Sequence, residues 1–191
     1  MSERKMITLA TRKQMDIYMN PQRQRLLRAL EVSGVPMTPK QLSDVLKISA
    51  SSVSLHIRKL EELGLVALDH TESIHGIQAK FYQKLPVSVS LGGNREDDLK
   101  EERTCLSDYL ITELWNGFKD RLNRVKDKTD AMTTGDFTCG VVHLNKKDAD
   151  ELYHLILDFT ETHEAPGEDT IPWEYGLVVF PHSPLPEEKG E

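Results

Sequence analysis

Residues 49–64, SASSVSLHIRKLEELG, constrain the fold of this chain more than any other stretch. Val53, Ile57, Leu60 and Leu63 recur at helical spacing, so the segment predicts an amphipathic helix with one buried stripe. Ser49 precedes the stripe with a side-chain oxygen suited to capping free N–H groups. Gly64 follows it and can close the helix through a left-handed backbone turn. Ser51, Ser52, Ser54, Leu55, Arg58, Lys59 and Glu62 fall on the other faces. The exposed start is therefore short and hydroxyl-rich, with positive charge one turn later. Small hydroxyl side chains let a backbone approach a groove closely and exchange hydrogen bonds there.

The flanking sequence supplies the rest of a small domain. Asn20-Pro21 and Thr38-Pro39 each place a capping residue before a proline, the signature of a helix start. The first opens a helix with Leu26, Leu27 and Leu30 on one face, ending near Ser33-Gly34; the second opens a short helix with Leu42, Val45 and Leu46. Upstream, residues 7–19 read as a further helix with Ile7, Met15, Tyr18 and Met19 as packing groups. Residues 65–68 and 77–85 read as strands, with His75-Gly76 as the turn of the intervening segment. Two helices, a polar-faced third helix and a hairpin form the order of a winged helix-turn-helix.

On these motifs the sequence resembles the winged helix-turn-helix transcriptional regulators of the ArsR type. The resemblance covers residues 15–88 and rests on NPQRQRLLRALEVSG, on MTPKQLSDVLKISASSVSLHIRKLEELGLV, and on AKFYQKL at the end of the hairpin. It implies a double-stranded DNA partner. Ser51, Ser52 and Ser54 would then lie at base edges or nearby phosphates, Arg58 and Lys59 near the backbone, and His75, Gln78 and Lys80 against a minor groove or flanking phosphates. Leu55 departs from the longer polar or basic residue usual in such regulators; it fits a thymine methyl or packing against another element. His56 matches a histidine frequent in the family, in either a base-reading or a helix-packing role. The metal-sensing branch carries a cysteine pair in the helix before the recognition helix. Here that helix reads PKQLSDVLK, so no thiolate metal switch and no cofactor are expected.

Charge divides the chain as the motifs do. Residues 1–90 hold 13 Lys and Arg against 8 Asp and Glu, whereas residues 91–191 hold 11 against 23. A net charge of -7 thus hides a basic first half, and it is the local patch that attracts phosphate. The expected organisation is α+β. It has a winged helix-turn-helix domain over 1–90 and, over 91–191, a long helix followed by a small acidic α/β domain, with residues 89–98 as the link.

The long helix spans about 99–125. Leu106, Leu110, Leu114, Phe118 and Leu122 recur every fourth residue, a stripe that serves its own domain or a second subunit; homodimerisation is the expectation. Residues 137–144 and 173–180 read as strands, with a helix between them capped by Asn145. Trp115, Tyr153, Trp173 and Tyr175 are candidates to line an effector pocket or to form core.

Catalysis is not expected. His143, His154, His163 and His182 occur in the second half, and Cys139 with His143 would share a strand face, yet two ligands do not close a zinc site. The chain has no HExxH, GxSxG or CxxC motif and no glycine-rich phosphate loop. Only two cysteines and no long apolar run point to a reducing cytoplasm without a membrane span. Two other functions fit less of the sequence: a winged helix used for protein contacts, and an enzyme built on the acidic half.

Overall fold

The computed structural model describes residues 5–74, 76–90, 97–125 and 134–181. Strand β1 (Lys5–Thr8) is followed by helices α1 (Arg12–Tyr18), α2 (Pro21–Ser33), α3 (Pro39–Leu46) and α4 (Ala50–Glu62). Strands β2 (Val66–Ile74), β3 (Ile77–Lys84) and β4 (Val87–Ser90) come next, then the long helix α5 (Lys100–Arg124) and α6 (Lys146–Thr162). The first half is a winged helix-turn-helix and long helices follow it, an α+β architecture.

Local chemistry sets the helix ends. Thr11 and Gln14 form a reciprocal capping box at α1, as Thr38 and Gln41 do at α3. The Asn20 side chain accepts from the backbone N–H groups of Gln22 and Arg23. Arg23 in turn donates to the Ile17 and Asp16 carbonyls, satisfying the end of α1. Gly34 ends α2 at φ +62, and a Cβ there would stand 2.7 Å from Pro166 Cγ, so glycine is required twice over. The turn between α3 and α4 passes through Lys47 at φ +58, a left-handed conformation at a residue with a Cβ.

Helices α2, α3 and α4 close on one core. Leu26, Leu27, Leu30, Leu42, Leu46, Val53, Ile57, Leu60, Leu63, Leu65 and Val66 are buried together. Each such side chain contributes about 1.5–3 kcal/mol when fully withdrawn from water. The hairpin β2–β3 is antiparallel, with a register shift between Leu68 and His70. A two-way backbone bridge between Met37 and Tyr82 ties its root to the start of α3. Beside it, β1 and β4 pair in parallel, Lys5 opposite Val87 through Thr8 opposite Ser90.

Several sequence expectations are corrected. Ile7 lies in β1 rather than in a helix, and the helix begins only at Arg12. Residues 89–90 belong to β4 rather than to a link. Most of the segment between the two wing strands is itself strand, since β2 runs on to Ile74. Residues 137–144 and 173–180 form no ladder; their apolar residues have no strand partner among the described residues.

Contacts divide the chain into two units, Met1–Asp108 with Gly140–Pro172, and Tyr109–Cys139 with Trp173–Glu191. Within the first, Lys84 at the root of β3 pairs with Glu31 of α2 at 2.7 Å and with Glu164 beyond α6 at 3.8 Å. Helix α6 itself buries no residue. Within the second, the Trp115 ring lies 5.5 Å from Phe118 and 5.2 Å from Phe137. Gly176 rests so close to Leu114 that a Cβ would collide with it.

Candidate nucleic-acid interface

Helix α4 presents its hydroxyl-rich end as a pre-ordered cluster. Ser49 Oγ accepts from the Ser52 backbone N–H at 3.1 Å and lies 2.9 Å from Ser51 Oγ and 2.8 Å from Ser52 Oγ. Ser54 Oγ donates to the Ala50 carbonyl at 2.9 Å, so its oxygen keeps accepting capacity but its proton is committed. Ser51 is exposed, while Ser52 and Ser54 are half-buried.

With Val53, Ile57 and Leu60 turned into the core, the outermost stripe of α4 is Ser51, Leu55, Arg58 and Glu62, spaced i, i+4, i+7 and i+11. Leu55 is 48% exposed, which places it on the open face rather than in packing. Arg58 is exposed and has no ion-pair partner among the described residues. Lys59 differs: its Nζ lies 2.7 Å from Glu62 Oε1, and Lys13 Nζ lies 3.5 Å from the other Glu62 oxygen. That hydrogen bond from Lys59 holds the Glu62 carboxyl below its usual range, with the charges of both lysines adding to it.

His56 sits half-buried on the inner side of the same helix. Its Nδ1 is buried without a hydrogen-bond partner among the described residues. Burial, and then the nearby Arg23 charge, lower its pKa and keep the ring neutral. This setting fits the packing role for His56 better than base reading.

Register settles which wing side chains share a face. Cross-strand partners in an antiparallel pair point the same way, so Gln78 with Ser73 and Lys80 with Thr71 form one face. The opposite face carries Ile74 with Ile77, Glu72 with Ala79, and His70 with Phe81. His70 stacks on Phe81 with ring centroids 4.5 Å apart, and its Nδ1 lies 2.6 Å from Asp69 Oδ2. Gln78 and Lys80 thus share one exposed face. His75 and His182 lie outside the described residues. The acidic side chains Asp69 and Glu72 on β2 are wing features the sequence reading passed over; their signal was the composition of β2 itself.

The stripe proposed for pairing is placed unevenly. Leu106 is buried at 1% exposure within its own chain, whereas Leu110, Leu114, Phe118 and Leu122 are half-buried. Ile111 and Trp115 are the large apolar residues that α5 exposes. Trp115, Tyr153, Trp173 and Tyr175 are all exposed, as are His154 and His163. Among the described residues no three His, Cys, Asp or Glu side chains are grouped to hold a metal, and no helix is long and apolar enough to cross a membrane.

A family model described as a helix-turn-helix domain matches residues 18–69, from the end of α1 into β2. No curated protein matches the chain. Among solved structures it is similar to a possible transcriptional regulator from Methanosarcina mazei Go1, at 13% identity over 55% of this chain and 80% of that one, with a TM-score of 0.32. It is also similar to the adhesin competence repressor from Streptococcus pyogenes, at 14% identity over 78% of this chain and 84% of that one, with a TM-score of 0.33. At such TM-scores neither likeness carries an argument, and the helix-turn-helix rests on the family match and the geometry of α2–α4.

Proposed function

We propose that this protein is a sequence-specific, double-stranded DNA-binding transcriptional regulator of ArsR-like type, acting as a homodimer and without catalysis of its own. The observation that carries the reading is the open stripe Ser51–Leu55–Arg58 on α4, next to a wing whose exposed face holds Gln78 and Lys80. In this reading α4 enters a major groove from its N-terminal end, and the wing grips the adjacent backbone. Arg58 and Lys80 meet phosphates, while Ser51, Ser52 and Leu55 supply a smaller preference among bases. Support for the dimer comes from the second unit, where Ile111, Trp115 and the apolar residues of 173–180 stand exposed in a quantity that single chains rarely leave uncovered. An effector acting through the second half belongs to the same proposal.

Selection of bound sequences from a random duplex library, followed by salt titration of the winner, tests it. A palindromic consensus with a steep salt dependence is the expected result; no enrichment at low salt would overturn the reading. A protein-contact role for the winged helix is favoured by the exposed Leu55 and by Glu72 on the wing, and it predicts that absence of enrichment.

A further inference from the structure

We propose that residues 174–180 pair, as an edge strand, with the same residues of a second copy, antiparallel and with Leu177 opposite itself on a two-fold axis. The inference rests on the homodimer reading and adds the surface and the register through which the two copies would meet. Residues 171–181 run without helix or turn. Within 175–180 no backbone N–H or C=O is hydrogen-bonded among the described residues. Tyr175, Leu177, Val178, Val179 and Phe180 are all exposed, and aromatic and β-branched types dominate the run, as in strands. Gly176 rests so close to Leu114 of α5 that a Cβ would collide. The stretch is therefore laid on a helix by one face while its edges stay open. Such an apolar edge is a template for another strand.

Charge and area point to a second copy as the occupant. Residues 91–191 hold 11 Lys and Arg against 23 Asp and Glu, so two such halves repel wherever charge faces charge. Residues 175–181, YGLVVFP, contain no Asp, Glu, Lys or Arg. Trp173, Tyr175 and Phe180, each more than half exposed, offer roughly 300–450 Å² at about 150–250 Å² a ring. Leu177, Val178 and Val179, with Ile111 and Trp115 of α5, bring the face near the about 800 Å² that each partner gives to a standard interface.

Symmetry then restricts the register. A two-fold axis between antiparallel strands sets one residue opposite its own copy. Pro172 and Pro181 bound the stretch, and without N–H groups they end a ladder, so the axis falls mid-way, at Gly176 or Leu177. At Gly176 two glycines would meet without side chains. At Leu177, leucine meets leucine, Tyr175 meets Val179, and Val178 meets Gly176, which includes a favourable aromatic–β-branched pair. The two Glu174 carboxylates then lie at opposite ends, about 20 Å apart, beyond the about 8 Å screening length of physiological salt. Hydrogen-bonded and non-hydrogen-bonded pairs alternate along the ladder. Pro181, opposite Trp173, fits only a non-hydrogen-bonded place. Leu177 is thus of that kind, and Val178 donates its N–H across the seam.

Sedimentation of the full chain and disulfide trapping test this. Val178→Pro removes a shared donor from each copy, whereas Val179→Pro removes one that points away. The first should weaken the dimer roughly thirtyfold, about 2 kcal/mol for two lost hydrogen bonds, and the second should leave it intact. In a Cys105→Ser/Cys139→Ser background, Leu177→Cys should oxidise to a linked dimer under copper phenanthroline, because facing Cα atoms about 4.5 Å apart suit a disulfide. Val178→Cys, two rows out of step with its copy, should not. In folded variants, equal effects of the two prolines would overturn the proposal, and so would trapping at 178 as strong as at 177. If circular dichroism shows a proline variant unfolded, the two cysteine variants decide alone. A wild-type dimer that neither traps at 177 nor responds to Val178→Pro overturns this pairing while the homodimer reading stands. Wild type that sediments as a single chain at every concentration overturns both, and leaves the edge to a different protein.

Discussion

Glu62→Gln is the perturbation that most directly probes the electrostatics of α4. Its carboxylate takes Lys59 at 2.7 Å and Lys13 at 3.5 Å, so two cations on the basic half are engaged by one anion on the outermost stripe. The glutamine is of the same size and still accepts a hydrogen bond, but carries no charge. Lys59 is then available to a phosphate, and a repulsive group leaves the stripe. One added phosphate contact steepens the slope of log affinity against log salt by about 0.9, which at 0.1 M salt corresponds to roughly eightfold tighter binding relative to 1 M. Arg58→Ala, removing an arginine without an ion-pair partner among the described residues, should shift the slope by a similar amount in the other direction. Lys59→Ala should change it less than Arg58→Ala, since Lys59 is already neutralised. Fluorescence anisotropy on one duplex at several salt concentrations, with a random duplex alongside, measures all three. An unchanged slope in Glu62→Gln together with equal losses in the two cation variants would refute the idea that the ion pair withholds Lys59 from DNA.

Ser49→Ala removes the cap of α4 and the acceptor at the centre of the serine cluster; it should cost about 1 kcal/mol in urea unfolding, and a change below a few tenths would show the cap to be idle. Lys47→Gly relieves the left-handed backbone between α3 and α4 and should raise stability by about 0.5–1 kcal/mol, less the extra freedom of the unfolded chain; a lower urea midpoint would contradict it. His56 has a depressed folded pKa, so the unfolded chain binds more protons just below its ordinary value near 6.5. Stability is therefore complete above about pH 6.5 and falls as pH drops through that value, until the folded ring also protonates. Urea midpoints measured between pH 7.5 and 5.5 should decline in wild type and flatten in His56→Gln; parallel profiles would remove His56 as the cause.

The reach of the sequence can be judged element by element. Helices α2, α3 and α4 were legible because their caps, prolines and closing glycine act within a few residues of the apolar stripe they bound. β1 departs from its local pattern because Ile7 fits a helical spacing with Met15 and Tyr18, while its strand partner lies some eighty residues away at Val87–Ser90. The alternation in VSVS was the available signal for β4. For the interface, Gln78 and Lys80 share a face as period-two spacing requires, but the irregularity between Leu68 and His70 moves β2 side chains to the other face beyond it. No local pattern announces such a bulge. The Lys59–Glu62 pair, by contrast, has readable i, i+3 spacing, and it separates two cations that the pattern alone treats alike. In the second half, the apolar residues of 137–144 and 173–180 predict strands, yet a strand is completed only by a partner, and that lies beyond what a local stretch encodes.

The parallel clasp of β1 with β4 has a mechanical consequence. Because Lys5–Thr8 runs alongside Val87–Ser90 in the same direction, a pull on the chain before residue 5 against one after residue 90 loads every rung at once, in shear. Tension arriving from the acidic half is thus taken up at the shared seam where the polypeptide enters and leaves the helix-turn-helix region. Helix α4 and the β2–β3 hairpin stay out of the line of force, free to hold their shape while whatever follows residue 90 is tugged.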